Sequence, residues 1–234
     1  MGLAITYSLR LQSVTSDVIL ATMNTLHRHA ADLPFVRLGE VVDLRGEDCL
    51  LNNDDTHTLL KFGAMTLEDY GEIHKNRFNT VPTCSQLIGF EVLPGDGCNT
   101  CTFGLASDAD HPQNWHWYDY CKTQYASNPD YGGLANFLQS HLAVLKLLEC
   151  CQQLDILEKA TDPSGYWEHQ DMDALVTSLR EHNILTAAMI GSFKDLLEPL
   201  GYTTQAPILE RPDFEHLEAQ GRIPAPGEDD SSPS

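Results

Sequence analysis

The chain opens with strict alternation of apolar and polar residues over 3–11, which is the pattern of a half-buried β-strand. Residues 15–33 then place apolar side chains at helical spacing, with Thr15 or Ser16 at the position of an N-cap. A second, less regular apolar run at 35–46 is typical of another strand. The opening therefore predicts a β-α-β unit.

The middle of the chain predicts more strands. The apolar runs 85–93 and 102–107 are separated by the glycine-rich segment 94–101, which favours a hairpin. Residues 115–125 are aromatic and suit a further strand. The segment 45–80 follows neither the helical nor the strand period, so we predict an irregular insertion there.

The second half of the chain is mainly helical. Residues 133–155 carry a wide apolar stripe, and residues 156–161 could add one short strand. Asp171 is placed to cap a long final helix that ends before Pro199. From residue 203 onward the chain is rich in Pro, Glu and Ser, which favours an extended or disordered acidic tail.

Hairpin-connected strands with helices before and after them indicate an α+β fold. We predict a mainly antiparallel sheet covered by three helices, which opens with a β-α-β unit and is followed by a disordered acidic C-terminal tail. Residues 1–202 would form a single α+β domain with the insertion at 45–80, and residues 203–234 would form the tail.

Charge narrows the range of partners. The chain has 34 Asp and Glu against 14 Lys and Arg, a formal net charge of -20. Such a chain repels nucleic-acid phosphates and anionic lipids, and no apolar run approaches the ~20 residues needed to cross a bilayer. We therefore expect a protein partner or a small molecule, and neither nucleic acid nor membrane.

Cysteine usage indicates the compartment. Seven cysteines is an odd number, two of them (Cys150 and Cys151) are adjacent, and the chain has no Asn-x-Ser/Thr acceptor. These features favour free thiols in the cytoplasm over a secreted disulfide scaffold.

Cys98 and Cys101 form a Cys-x2-Cys motif in the predicted hairpin. A redox pair needs its first cysteine at a helix start, whereas the residues after Cys101 have strand character. A zinc site would need further donors, and His116 and Cys121 are within reach along the chain. Because five residues separate these two, a strand would send them to opposite faces. We expect no cofactor, with zinc as the alternative.

Three residues are candidates for catalysis. His141 lies on the apolar face of its predicted helix, where a buried, hydrogen-bonded histidine is typical; a catalytic role would require that it reach a cleft beside the aromatic strand. Glu168 and His169 lie at a loop-to-helix junction, 165–171, where acidic residues also stabilise the helix start without any catalytic role.

Tyr118 and Tyr120 are the predicted binding residues. Neighbouring side chains on a strand point to opposite faces, so these two tyrosines lie on the face opposite to that of Trp115 and Trp117. Exposed tyrosines offer large rigid contact area and a hydroxyl. The alternative is a sheet that is packed on both faces.

Together these features favour a soluble, non-catalytic binding or interaction protein that uses an acidic, aromatic-bearing surface. The alternative is a small-molecule enzyme, with or without a metal, whose site lies near residues 115–125 and 165–171. No phosphate-binding loop, nucleophile elbow or zincin motif in the sequence supports a particular reaction.

Overall fold

The computed structural model describes residues 3–49, 51, 56–65, 84–108 and 111–222. The strands in these residues are β1 (Ala4–Leu11), β2 (Arg37–Leu38), β3 (Val42–Arg45), β4 (Cys84–Leu93), β5 (Cys101–Asp108), β6 (Trp115–Lys122) and β7 (Leu157–Thr161). The α-helices are α1 (Ser16–Ala31), α2 (Thr58–Gly63), α3 (Gly133–Gln153), α4 (Tyr166–His169), α5 (Met172–Leu197) and α6 (Phe214–Gly221).

All the strands belong to one antiparallel sheet in the order β2-β4-β5-β6-β1-β7, and β3 also pairs with β4. The predicted α+β class with a mainly antiparallel sheet is confirmed. The β-α-β opening is split, because β4, β5 and β6 lie between β1 and β2. Each step between neighbours is antiparallel, so β1 and β2 run in the same direction even though they do not touch.

The predicted strand at 35–46 divides into β2 and β3, which pair with successive parts of β4. Gly39 lies at the break, where its N–H donates to the Glu91 carbonyl at 2.9 Å. A Cβ at Gly39 would lie 3.4 Å from the same carbonyl oxygen, so the two backbones approach closely there. The break therefore bends one edge of the sheet without losing its contact with β4.

Within the described residues, α1, α2 and α3 pack on the sheet, although α2 lies in the segment predicted to be irregular and the predicted final helix, α5, packs mainly on α6. On one face, α1 contacts β4 and α3, and the His27 ring meets the Phe90 ring edge-on at 5.1 Å. On the other face, α2 packs over β4 and β5, where Leu60 would contact a Cβ at Gly89. The core between β1, β4, β5 and α1 contains the largest buried side chains, among them Tyr7 and Phe103, whose rings stack at 4.9 Å.

The predicted strand 115–125 is too long by three residues, because β6 ends at Lys122. Lys122 pairs with Ala4, the first residue of β1, so no strand partner remains beyond it. The chain turns instead into a 3-10 helix at Gln124–Ser127. Gln124 is 1% exposed, and its side chain accepts the Leu3 N–H at 3.0 Å and donates to Asn183 at 3.0 Å.

The prediction of an extended or disordered tail from residue 203 is wrong for residues 207–221. A 3-10 helix (Pro207–Glu210) and α6 fold back onto α5. Burial explains this, since Ile208, Phe214 and Leu217 pack against Ala187 of α5.

Arg211 fixes the same C-terminal segment by polar contacts. Its side chain is 5% exposed and pairs with Asp213 through Nε at 2.9 Å and Nη2 at 2.9 Å. Its Nη1 donates to Ser127 Oγ at 2.8 Å. The segment is therefore joined to the 3-10 turn after β6 as well as to α5.

Two predictions fall partly outside the described residues. The insertion predicted at 45–80 contains the end of β3, a 3-10 helix at Gly46–Cys49 and α2, but residues 50, 52–55 and 66–83 are not described. The disordered end predicted for the tail falls on residues 223–234, which also lie outside the described residues. The single domain at 1–202 stays a prediction.

Candidate functional site

Tyr118 and Tyr120 lie on the face of β6 that points away from the core, and each is 42% exposed. Trp115 and Trp117, on alternate positions of the same strand, are 2% and 1% exposed. The alternation expected of a strand is therefore confirmed here, whereas the binding role of the two tyrosines stays a prediction.

The register places these tyrosines in two rows that cross three strands. One row is Tyr118, Ser8 and Lys159, and the other is Tyr120, Thr6 and Thr161. We call these six residues the tyrosine face. The short side chains of Thr6 and Ser8 lie at the middle of the rows, with a tyrosine at one end of each row and a longer or β-branched side chain at the other.

The charge of the tyrosine face differs from that of the whole chain. Its six residues include one lysine and no carboxylate, and Lys122 lies beside it with Nζ 5.7 Å from the centre of the Tyr120 ring. Arg10 and Glu158 form an exposed ion pair at 2.7 Å at the edge of the same three strands. The acidic character predicted for this surface therefore comes from other parts of the chain.

A cleft of about 440 Å³ lies at the end of β6, beside the tyrosine face. The glycine-rich turn, the 3-10 turn after β6 and the C-terminal segment all contribute to its wall, which is formed by Gly97, Cys98, Asn99, Lys122, Tyr125, Asn128, Tyr131, Pro207 and Glu210. The C-terminal contribution was not predicted, because the sequence assigned that segment to a tail.

The glycine-rich turn is fixed tightly against the cleft. Gly97 has φ +82°, and a Cβ there would lie 2.6 Å from the Tyr125 carbonyl oxygen and 2.7 Å from Cδ2 of Tyr131. Asn99 joins the turn to β6, since its N–H donates to the Lys122 carbonyl at 3.2 Å and its Oδ1 accepts the Lys122 N–H. Only a glycine fits at residue 97 without moving this wall.

Two neighbouring cysteines, Cys98 in the turn and Cys121 in β6, are not activated. Burial raises the pKa of the Cys98 thiol to about 12, so this sulfur stays protonated at neutral pH. A hydrogen bond to Cys101 and burial raise the pKa of Cys121 well above its ordinary value. Neither thiol is therefore a ready nucleophile.

The four residues that would bind zinc under the alternative prediction do not form one site. Cys98, Cys101 and Cys121 are neighbours, but His116 points to the opposite face of β6, and its Nε2 lies 3.0 Å from the Ala64 carbonyl. The described part of the chain contains no group of three or more His, Cys, Asp or Glu side chains placed to hold a metal ion.

His141 is fully buried in a polar network that connects α3 to the ends of β6 and β7. Its Nδ1 lies 2.8 Å from Thr123 Oγ1, and its Nε2 lies 3.3 Å from Asp162 Oδ2. Ser164 donates to the same carboxylate through Oγ at 2.6 Å and through its N–H at 3.0 Å. Thr123, His141, Asp162 and Ser164 are each at most 7% exposed, so a substrate has no access to them as placed.

The ionisation of Asp162 reflects this network. Burial alone would raise its pKa, but the hydrogen bond and charge of His141, together with the bonds from Ser164, outweigh burial and lower the pKa to about 2. Asp162 is therefore an anion at neutral pH, and the network stabilises the fold at the junction of three elements.

The other two catalytic candidates lie on α4. Glu168 and His169 are both exposed, and no described hydrogen bond or ion pair connects either side chain to His141. Asp171 caps α5, with its Oδ1 accepting the N–H groups of Asp173 and Ala174 at 2.9 Å and 3.0 Å. The structure thus shows the helix-capping role for Asp171, and catalysis by the other residues stays a prediction.

Asp119 was not selected as a site residue, yet it occupies a gap between β5 and β6. Backbone pairing of these strands is limited to Ala106 with His116 and Ser107 with Trp115. Beyond that point Asp119 Oδ2 accepts the Thr102 N–H and hydroxyl, each at 2.6 Å.

Burial raises the pKa of Asp119 to about 6, although hydrogen bonds from Thr102 and Tyr120 oppose the shift. Tyr7 and Trp117 fill the rest of the gap, since their hydroxyl and indole N–H donate to the Thr102 carbonyl at 2.6 Å and 3.2 Å. The gap is therefore closed by side chains that face inward and offers no open site.

Comparisons of the chain with protein-family models, curated proteins and solved structures found no match. Within the described residues, no helix has both the length and the apolar character that crossing a membrane requires. The candidate site therefore rests on geometry: the tyrosine face and the cleft beside it.

Proposed function

We propose that this chain is a non-catalytic binding protein of the cytoplasm and that the tyrosine face is the surface on which it receives a protein partner. The observation that carries the proposal is the pair of tyrosines on β6, each 42% exposed on an inner strand of the sheet. An antiparallel sheet commonly leaves one face in solvent, and tyrosines exposed on such a face are typical of protein-binding surfaces.

The form of the face supports a protein contact. Tyr118 and Tyr120 supply rigid aromatic area with few rotatable bonds, and the hydroxyls of Thr6, Ser8 and Thr161 supply hydrogen-bonding groups between and beyond them. Lys122 and Lys159 add positive charge at two sides, which suits carboxylates on the partner. The seven cysteines are free thiols, which suits a reducing compartment.

A photo-crosslinking experiment tests the proposal. A photoreactive phenylalanine analogue is placed at Tyr118 in one sample and at Tyr202 in another, because Tyr202 is 66% exposed on the C-terminal side of α5. We expect the analogue at 118, but not at 202, to crosslink one protein from cell extract. Excess unlabelled parent chain should compete for that protein, and the Tyr118→Ala/Tyr120→Ala double variant should not.

The double variant must remain folded for this comparison. Both side chains are substantially exposed, so the free energy of unfolding should change by about 1 kcal/mol or less. Equal competition by the parent and the double variant would overturn the proposal, as would the same crosslinked species from both positions.

A further inference from the structure

We infer that the cleft at the end of β6 binds a small zwitterion whose ammonium and carboxylate groups lie together at one end of a flat apolar body, as in an aromatic amino acid. This site adjoins the tyrosine face at Lys122, and its other lining residues lie outside that face.

The size of the cleft suits a small molecule. Its volume of about 440 Å³ falls within the range of about 300–1,000 Å³ that is usual for such sites. The fixed Gly97 turn on one side and the anchored C-terminal segment on the other make it a preformed cavity. A ligand would therefore not have to order these walls on binding.

The cleft carries two opposite charges that are not paired with each other. Lys122 and Glu210 both line it, and among the described residues neither forms an ion pair with any group. A ligand with only one charge would satisfy one of these groups and be repelled by the other. A zwitterion satisfies both, with its carboxylate at Lys122 and its ammonium at Glu210.

The side-chain amide of Asn128 independently indicates that the ligand carries a hydrogen-bond acceptor. Asn128 is 4% exposed, and its Oδ1 accepts the Asp130 N–H at 3.1 Å. Its Nδ2 has no hydrogen-bond partner among the described residues, although Asn128 lines the cleft. Thr204 Oγ1 is the only fully buried side-chain polar atom without a partner among the described residues, so Asn128 Nδ2 is open to solvent and is available for a ligand carboxylate or carbonyl.

Two tyrosines and a proline define the body of the ligand. Tyr125, Tyr131 and Pro207 line the cleft. Burial raises the pKa of Tyr125, so its hydroxyl stays neutral and can donate a hydrogen bond. Flat aromatic groups pack well against such rings. The protonated Cys98 thiol supplies no nucleophile, so the site is suited to binding and not to a covalent reaction.

Calorimetric titration of the full chain with three probes tests the inference. L-Tryptophan carries both charges, tryptamine lacks the carboxylate, and indole-3-propionate lacks the ammonium. We expect L-tryptophan to bind at least about tenfold more tightly than either of the others, because each charge-assisted hydrogen bond contributes at least that factor.

Variants that remove one charge from the cleft show which charged group of the probe contacts Lys122 and which contacts Glu210. In Lys122→Met, L-tryptophan should lose its advantage over tryptamine, and in Glu210→Gln it should lose its advantage over indole-3-propionate. Lys194→Met and Glu215→Gln remove the same charges outside the cleft and should leave all three affinities unchanged.

The inference is overturned if L-tryptophan gives no binding heat at millimolar concentration, if the three probes bind equally, or if the cleft and control variants behave alike. The crosslink expected from Tyr118 does not depend on any of these results, since Glu210 lies outside the tyrosine face. A failure of the cleft to bind these probes is therefore distinguishable from a failure of the proposed protein interface.

Discussion

Asp119, half-buried in β6, and Asp162, buried after β7, are both carboxylates held by short hydrogen bonds, yet their pKa values shift in opposite directions. Burial raises the pKa of Asp119 to about 6, and its bonds from Thr102 and Tyr120 come only from neutral groups. Burial also opposes ionisation of Asp162, but the contact with His141 and the bonds from Ser164 lower its pKa to about 2.

The difference shows that the hydrogen-bond partners of a carboxylate decide whether its pKa is raised or lowered when it is removed from water. Neutral donors reduce the cost of burying a carboxylate without cancelling it, whereas an imidazole that can carry a positive charge more than cancels it. The β5–β6 gap is therefore a region where ionisation opposes folding, and the His141 network is one where ionisation supports folding.

The largest expected effect is the loss of His141. In His141→Ala the Asp162 carboxylate would be buried without its imidazole partner, so the free energy of unfolding at pH 7 should fall by about 3 kcal/mol or more. Urea unfolding measures this. His182→Ala is the matched control, because among the described residues the His182 side chain hydrogen-bonds only to Ser178 of its own helix, and its loss should cost about 1 kcal/mol or less.

A second substitution separates the cost of the unpaired carboxylate from the cost of the lost packing. If the unpaired anion dominates the cost, adding Asp162→Asn to His141→Ala should restore part of the lost stability. A double variant that is no more stable than His141→Ala would show that lost packing, and not the carboxylate, explains the effect.

The next largest effect is a pH dependence set by Asp119. Its folded-state pKa lies above the ordinary value of 3.8, so the folded chain binds this proton more tightly than the unfolded chain does. The stability that it contributes is present below about pH 4 and is lost as pH rises to about 6, with a total of up to about 3 kcal/mol.

Asp119→Asn should remove this dependence, since an amide does not titrate. The measurement is the difference in unfolding free energy between parent and variant at intervals from pH 4 to pH 7. A difference that stays constant across this range would contradict the raised pKa of Asp119.

Asp162 should produce a slightly smaller dependence of opposite sign. Its folded-state pKa lies below 3.8, so its contribution is present above about pH 4 and is lost as pH falls toward about 2. The expected total is about 2 kcal/mol. Comparison of the parent with Asp162→Asn between pH 5 and pH 2 measures it, and a parent advantage that persists at pH 2 would argue against the lowered pKa.

The smallest effects concern single hydroxyl donors. Thr102→Val removes one bond to Asp119, and Ser164→Ala removes one bond to Asp162. Each should cost about 1 kcal/mol and raise the pKa of the carboxylate concerned. NMR titration of the two carboxyl groups should show the pKa shift only at the carboxylate whose donor was removed. Equal pKa shifts at both carboxylates in either variant would show that the effect does not come from the lost hydrogen bond.

The parts of this structure that depend on local periodicity could be predicted from the sequence. Alternation over 3–11 placed β1, the apolar stripe at 133–155 placed α3, and the strand period separated Trp117 from Tyr118. The burial of His141 also followed from its position on the apolar face of a helix. In each case a few neighbouring residues contain the information.

The partners of these residues could not be predicted, because they come from distant positions in the chain. Asp162 is 21 residues beyond His141, and the cleft combines Cys98 with Glu210. The gap that Asp119 fills results from the divergence of β5 and β6, which no residue pattern on either strand signals. The spacing of Phe214 and Leu217 after Asp213 was a weak helical signal, and the acidic, proline-rich composition around it pointed instead to a tail.

The order of strands in the sheet has a consequence for synthesis of the chain. Ala4 pairs with Lys122, so β1 leaves the ribosome long before its neighbour β6 exists. At typical elongation rates the delay is on the order of ten seconds. During that time the apolar segment of β1 has no β6 to pair with in the nascent chain. We expect this segment to be a substrate for ribosome-associated chaperones.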